Sequence, residues 1–94
     1  MNNSILDLIG NTPLVETKTL IKNPRVKLFL KLEGQNPGGS VKDRAALNMI
    51  KSALVRGDIT NETKLIEATS GNTGIALAMI AGIFKLQLEL VMPE

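Results

Sequence analysis

The chain has 94 residues, a net charge of +2 and 44% apolar residues, values typical of one small globular domain. It has no cysteine and no histidine, which excludes disulfide scaffolds, thiol nucleophiles, Cys/His zinc sites and Ser-His-Asp triads, and no run of carboxylates suggests another metal site. Scattered basic residues with few aromatic ones predict no nucleic-acid partner, and the lack of a signal pattern or a long apolar stretch predicts a cytoplasmic protein without a membrane partner.

The first third of the chain predicts two short strands followed by a turn. Residues 14–18 follow "GNTP" and favour a strand, and residues 26–33 alternate between two faces with a period of two. The apolar face of this second strand carries Val26, Leu28, Leu30 and Leu32. The next segment, "EGQNPGGS", is rich in turn-forming residues.

The remaining residues alternate between helical and strand patterns. Ser40 is predicted to begin a helix, because Asp43 three residues later completes a capping box, and Gly57 is predicted to end it. A strand at 64–69, a helix at 75–84 and a strand at 86–93 follow. This order predicts an α/β fold with parallel strands joined by helical crossovers.

The helix predicted at 75–84, "IALAMIAGIF", is apolar on every side and needs cover all round. The chain has little material to provide that cover, and it stops directly after a strand. Both features predict the first part of a larger α/β protein. A dimer that covers the helix, or an unusual small domain, are the alternatives.

The "EGQNPGGSVK" segment resembles a nucleotide loop without matching one. Gly34 and Gly39 have the separation of the two P-loop glycines, but Ser40 stands where the lysine must follow and Lys42 comes two residues late. No G-x-G-x-x-G turn is present either. We therefore do not expect a nucleoside-triphosphate site.

Lys42 and Arg44 lie in the first turn of the predicted helix, where the macrodipole disfavours cations. One interpretation is that both side chains extend into solvent at little cost. The other is that the helix terminus and the neighbouring cation destabilise the ammonium form of Lys42, which favours the amine that Schiff-base chemistry requires. The residues alone leave both open.

"TSGNTG", residues 69–74, follows a predicted strand and opens a helix, the position at which open α/β sheets bind ligands. Its hydroxyl and amide side chains, its glycines and the helix terminus suit an anion such as a carboxylate. An ordinary helix cap and turn explains the same residues. "IGNTPL", residues 9–14, is by itself only a turn that leads into a strand.

Taken together, "IGNTPL", "KLEGQNPGGSVKDR" and "IEATSGNTGIALAM" closely resemble the cysteine synthase (O-acetylserine sulfhydrylase) family. That family belongs to the pyridoxal-phosphate enzymes of the tryptophan-synthase-β fold type. "NPGGSVKDRAA" is similar to the B-type members and to the cystathionine β-synthases. The resemblance runs from Ile9 to the final "VMPE".

The resemblance implies a role for six residues. Lys42 matches the catalytic lysine that forms a Schiff base with pyridoxal 5'-phosphate and then removes the substrate α-proton. Asn72 matches the asparagine that hydrogen-bonds the cofactor ring. The loop that holds the substrate carboxylate is matched by Thr69, Ser70, Gly71 and Thr73.

The implied reaction is a β-replacement that makes L-cysteine from O-acetylserine and sulfide or another sulfur donor, in a homodimer. Residues 1–35 would then be strands that join a second domain, and residues 36–94 the start of the smaller α/β domain. The family's phosphate-binding loop would lie beyond residue 94, so the 94 residues alone are expected to be inactive. A cystathionine β-synthase-like or other β-eliminating enzyme, and a non-catalytic truncated remnant, are the alternatives.

Overall fold

The structure is a computed structural model that describes residues 4–69 and 71–93. In chain order its strands and helices are β1 (Leu14–Thr17), β2 (Leu28–Lys31), α1 (Lys42–Arg56), β3 (Lys64–Ala68), α2 (Asn72–Phe84) and β4 (Gln87–Val91). Two 3-10 turns, Ile5–Leu8 and Glu33–Gln35, precede β1 and follow β2.

Strands β1 and β2 pair antiparallel, with Val15 opposite Leu30. The second strand is shorter than the alternating pattern at 26–33 predicts, because the backbone turns into the 3-10 turn just after Leu32. Apolar residues remain exposed on both faces of this ribbon, among them Val15 at 44% on one face and Phe29 at 47% on the other. The described residues therefore leave both faces of the ribbon largely open.

Strands β3 and β4 pair parallel, with Leu65 opposite Leu88, and α2 is the crossover between them. This confirms the predicted α/β arrangement of parallel strands. Within the described residues β3 and β4 form a sheet separate from β1 and β2. The face away from the helices is exposed and carries an ion pair between Lys64 and Glu89 at 2.6 Å.

Helix α1 begins two residues later than predicted, and its cap differs from a capping box. The Ser40 hydroxyl accepts the Lys42 N–H at 3.1 Å, but the Asp43 carboxylate turns away to accept the Gly38 N–H at 2.5 Å. The predicted capping box is therefore wrong, because the backbone N–H of Gly38, five residues before Asp43, takes the carboxylate that the capping-box rule assigns to Ser40. Gly57 ends α1 as predicted, in a left-handed conformation with φ of 80°.

Helix α2 begins at Asn72, three residues before the predicted start at 75, so part of the "SGNTG" turn is its first helical turn. It ends at Phe84 and is capped by Lys85, a non-glycine residue with φ of 58°. The core lies mainly between the two helices and consists of Ala46, Ile50, Ala76, Leu77, Ile80, Ala81 and Leu86.

The cover of α2 is one-sided. Ile80 is fully buried, which stabilises the fold by about 1.5–3 kcal/mol, whereas Ile75 and Ile83 are 53% and 38% exposed. The expectation that α2 needs cover all round is thus only half met by the described residues. The Cα radius of gyration is 16.9 Å, against about 12 Å for a globular domain of this length. None of the helices in residues 4–69 and 71–93 has the length and apolar character needed to cross a membrane.

Candidate functional site

Lys42 is the first residue of α1 and its side chain is exposed. Its backbone N–H is held by the Ser40 hydroxyl. Among the residues that the structure describes, no carboxylate forms an ion pair with its ammonium group. The amine is therefore open to a ligand that approaches the start of the helix.

Asp43, the next residue, is fully buried. One oxygen, Oδ2, accepts the Gly38 N–H, whereas Oδ1 has no hydrogen-bond partner within the described part of the chain. A methyl carbon added at Gly38 would lie 3.0 Å from Asp43 Cγ and closer still to Oδ1. Glycine is thus required at position 38, because the backbone and the carboxylate approach each other directly.

Arg44 does not extend freely into solvent. Its Nε donates to Glu33 Oε1 at 2.5 Å and its Nη2 donates to Oε2 at 3.2 Å. The Arg44 guanidinium, with the Thr12 hydroxyl second, lowers the pKa of Glu33 from 4.5 to about 2, and Glu33 in turn raises the pKa of Arg44. The interpretation of Arg44 as a solvent-extended cation is therefore wrong, and Glu33 neutralises the charge next to Lys42.

The ion pair belongs to a larger polar group, which we call the anchor cluster: Gly10, Thr12, Glu33, Asn36 and Arg44. The Thr12 hydroxyl donates to Glu33 Oε2, and Arg44 Nη2 also reaches the Thr12 hydroxyl at 3.3 Å. Asn36 Nδ2 donates to the Glu33 carbonyl at 2.9 Å, and its Oδ1 accepts the Gly10 N–H at 2.7 Å. Thr12 and Asn36 are 7% and 3% exposed. These hydrogen bonds join "IGNTPL" to the lysine segment.

Sequence reasoning assigned no role to Thr12, Glu33 or Asn36. The available signal was their position inside two of the three motifs, since polar residues in turns often hold other segments by side-chain hydrogen bonds. Which partners they hold depends on contacts 11 to 32 residues apart, and no local pattern reports such contacts.

Thr69 and Gly71 lie between the end of β3 and the start of α2. The Thr69 N–H donates to the Val91 carbonyl at 2.9 Å, and its hydroxyl accepts the Gly71 N–H at 3.4 Å. Asn72 is exposed and Thr73 is half-buried in the first turn of α2. Ser70, also predicted to hold substrate, lies outside the described residues.

Gly74 and Gly71 have different surroundings. A methyl carbon at Gly74 would come within 2.9 Å of Thr69 Cγ2. At Gly71, no described residue other than its chain neighbours comes within 4 Å of the same position. An open cavity of about 250 Å³ borders this loop, lined by Thr69, Gly71, Gly74, Ile75, Ala78, Leu90 and Met92. Its lining is mostly apolar, so the polar contacts predicted for a carboxylate depend on the edge of the loop and the exposed start of α2.

The predicted site residues fall into two groups at the starts of two helices. Lys42 begins α1, whereas Thr69 and Gly71 precede α2 and Asn72 and Thr73 lie in its first turn; the two helices pack through their shared core. No hydrogen bond among the described residues links Lys42 to Thr69, Asn72 or Thr73. The catalytic, cofactor-binding and substrate-binding roles of these residues therefore stay predictions. No cluster of three or more metal-binding side chains occurs in the residues that the structure describes.

Comparing this sequence with known protein families gives a result consistent with the α/β unit and the exposed lysine at the start of α1. The sequence profile described as pyridoxal-phosphate dependent enzyme matches residues 5–94, and the chain belongs to that family. Two curated relatives of high identity each carry the name cysteine synthase B. The relative from Pseudomonas syringae pv. syringae is 56% identical over 91 residues, and that from Escherichia coli (strain K12) is 57% identical over 86 residues.

These alignments cover nearly all of this chain but only part of the relatives. They span 97% and 92% of the chain, against 54% and 28% of the two relatives. A solved hydrogen sulfide-producing enzyme from Fusobacterium nucleatum superposes with a TM-score of 0.94 at 51% identity, over 100% of this chain and 31% of that one. An O-acetylserine sulfhydrylase isoform from Entamoeba histolytica gives 0.93 at 41% identity, over 100% and 29%. The fold is thus that of the tryptophan-synthase-β type of pyridoxal-phosphate enzyme, of which the chain spans about 30% of the solved length.

Proposed function

We propose that the chain is part of a pyridoxal-phosphate enzyme that makes L-cysteine from O-acetylserine and a sulfur donor such as sulfide. The observation that carries the proposal is Lys42, an exposed amine without an ion-pair partner in the described residues, in a chain 56–57% identical to cysteine synthase B. A relative titled O-acetylserine dependent cystathionine β-synthase, from Helicobacter pylori, is 42% identical and keeps that reaction as the second candidate.

The residues present fit a pyridoxal group. The Lys42 Nζ would hold the cofactor through its aldehyde group, a condensation that releases one water. The Asn72 amide is exposed at the first turn of α2, where its N–H groups could donate to the hydroxyl oxygen carried by the cofactor ring. Bound pyridoxal phosphate supplies an electron sink for carbanion chemistry.

Each residue then has a task in the proposed reaction. Lys42 would take the α-proton of the bound substrate on its Nζ. Thr69, Ser70, Gly71 and Thr73 hold the substrate carboxylate through hydroxyl and backbone N–H donors next to the positive end of α2. Gly71 is exposed, and in the described part of the chain no residue but its neighbours comes within 4 Å of an added Cβ, which leaves space for a ligand against the backbone.

The domain division and the assembly are further parts of the proposal. We propose that residues 1–35 contribute strands to a second domain, that residues 36–94 begin the smaller one, and that the enzyme is a cytoplasmic homodimer. The family resemblance supports these points. The anchor cluster crosses the proposed boundary, since Gly10 and Glu33 lie before it and Asn36 and Arg44 after it. The first strands are therefore expected to be held firmly against the start of α1.

The test is covalent trapping of pyridoxal phosphate. The protein is incubated with pyridoxal phosphate, reduced with borohydride and digested, and the labelled peptide is identified by mass spectrometry. We expect the label on Lys42 and its loss in Lys42→Ala. Lys51→Ala, which removes another exposed lysine of α1, is the matched control and should keep the label.

Turnover is a separate test of the reaction. We expect the protein at the full length of its relatives to form L-cysteine from O-acetylserine and sulfide, and Lys42→Ala to abolish it. The 94 residues alone should not turn over, because the chain spans 54% of one relative and about 30% of the others. Label distributed over several lysines, without preference for Lys42, would contradict the assignment.

A further inference from the structure

The two residues after Lys42 are each tied to the chain in front of the helix. Asp43 is fully buried and accepts the Gly38 N–H, whereas Arg44 donates two hydrogen bonds to Glu33. Successive helical residues point about 100° apart, so these two ties hold the first turn from two directions. Lys42 occupies the third direction, and its side chain is exposed.

The Glu33 carboxylate is the centre of the anchor cluster. Its Oε1 accepts from Arg44 Nε and from Asn36 Nδ2, the latter at 3.4 Å. Its Oε2 accepts from Arg44 Nη2 and from the Thr12 hydroxyl. The Glu33 side chain is only 20% exposed, against 60% for the carboxylate of the ordinary surface pair formed by Asp58. Glu33 therefore connects three segments of the chain and is not an ordinary surface carboxylate.

Arg44 also lies close to the "IGNTPL" motif, residues 9–14. A methyl carbon added at Gly10 would lie 3.1 Å from Arg44 Nη1, and Gly10 has φ of +84°. Gly10 in turn donates its N–H to Asn36 Oδ1. The guanidinium thus lies between the first motif and Glu33, although the Arg44 side chain keeps 40% of its surface exposed.

We infer that the anchor cluster is a positioning device that holds the backbone at the start of α1 so that the Lys42 amine is presented in one direction. The inference rests on the proposed role of Lys42 as the residue that takes the cofactor. The first turn of a helix lacks partners for its N–H groups and frays readily. A lysine side chain is long and flexible, so the direction from which its amine approaches a ligand is set first by the position of its backbone. A displacement of about 1 Å at a reacting group lowers a rate by up to about 100-fold.

The experiment compares cluster variants with an ion pair at the other end of the same helix. Glu33→Gln keeps the size of the side chain and removes its charge, and Arg44→Lys keeps the cation and removes the two-pronged donation. Asp58→Asn is the control, because it breaks the 2.8 Å pair with Arg56, which is fully at the surface and ends α1. The readouts are the rate of borohydride-trapped label on Lys42 and the visible absorbance of the bound cofactor. Far-ultraviolet circular dichroism checks the helix content of each variant.

The expected result is a loss of about 10- to 100-fold in the labelling rate for Glu33→Gln, a smaller loss for Arg44→Lys, and no change for Asp58→Asn. The cofactor absorbance should shift in the two cluster variants only, at unchanged helix content. If Glu33→Gln loses its helix content, Arg44→Lys alone decides the matter.

Two negative results have different meanings. If the unmodified protein does not label at Lys42, the proposed function fails. If it labels at Lys42 and the folded cluster variants label equally fast with the same absorbance, the proposed function stands and the positioning role is overturned.

Discussion

Replacing Gly38 by alanine tests the tie between Asp43 and the turn before α1. The added methyl carbon would lie 3.0 Å from Asp43 Cγ, and the carboxylate that it meets is fully buried. The conflict is steric alone, because Gly38 has no left-handed φ. The buried side chain has no solvent to move into, so either the carboxylate or the backbone must shift.

The cost follows from the two ways of relieving the overlap. If the carboxylate moves, the hydrogen bond from the Gly38 N–H to a charged acceptor is lost, which costs about 1.5–3 kcal/mol. If it stays, the crowding costs about 1–3 kcal/mol. The two are alternatives, so we expect Gly38→Ala to lower the free energy of unfolding by about 1.5–3 kcal/mol. A chain of 94 residues has about 5–14 kcal/mol in total, so the loss is measurable.

Urea unfolding followed by far-ultraviolet circular dichroism measures this change. Gly34→Ala is the matched control, since it lies in the same turn, has no left-handed φ and meets only the Gly39 carbonyl at 3.9 Å. We expect the control to change stability by less than about 0.5 kcal/mol. Asp43→Ala should make the Gly38→Ala change nearly neutral, because the clashing atoms are gone. Equal unfolding free energies for Gly38→Ala and Gly34→Ala would refute the reasoning.

Three further changes test other parts of the structure. Ile80→Ala should lower the free energy of unfolding by about 2–5 kcal/mol, because the side chain is fully buried. Ile83→Ala, on the exposed side of α2, should lower it by less than about 1 kcal/mol. Similar losses for the two variants in urea unfolding would contradict the one-sided core. Lys85→Gly should raise the melting temperature, because it relieves a left-handed φ of 58° that costs about 1 kcal/mol. Arg44 lowers the Glu33 pKa from 4.5 to about 2. The contribution of this ion pair to the free energy of unfolding is therefore complete above about pH 4.5 and is lost as the pH falls towards 2. Glu33→Gln should therefore flatten the pH dependence of urea unfolding in that window, and parallel curves for the two proteins would count against the ion pair.

The elements of the fold were largely predictable from local patterns. The alternation of helix and strand after residue 39 predicted parallel strands joined by a helix, and β3, α2 and β4 form that unit. Gly57 ended α1 as predicted, because a glycine after an apolar helical pattern adopts the left-handed cap at little cost. The exact starts of α1 and α2 were missed by two and three residues, because helix termini depend on which side chains compete for the first N–H groups.

The candidate site was predictable in part. Lys42 and the 69–74 loop could be selected from their positions at predicted helix starts, and the family resemblance assigned them roles. Arg44 was the informative failure, because helix electrostatics alone treats it as an unfavourable neighbour of Lys42. Its partner Glu33 is 11 residues earlier, at the start of the 3-10 turn that follows β2. Pairing across that distance depends on how the turn folds back, which local charge rules do not describe.

By itself the sequence determined the type of each element, the parallel crossover and the position of Lys42 at a helix start, since periodicity, glycines and turn residues act over a few neighbours. Only the tertiary structure decided where Asp43 and Arg44 point. Asp43 leaves the capping-box partner that the helix rule assigns and accepts from Gly38, and Arg44, for which the rule gives no partner, binds Glu33. The physical reason is that a buried carboxylate and a guanidinium take the strongest hydrogen-bonding partners that the fold brings near, and the fold sets that distance.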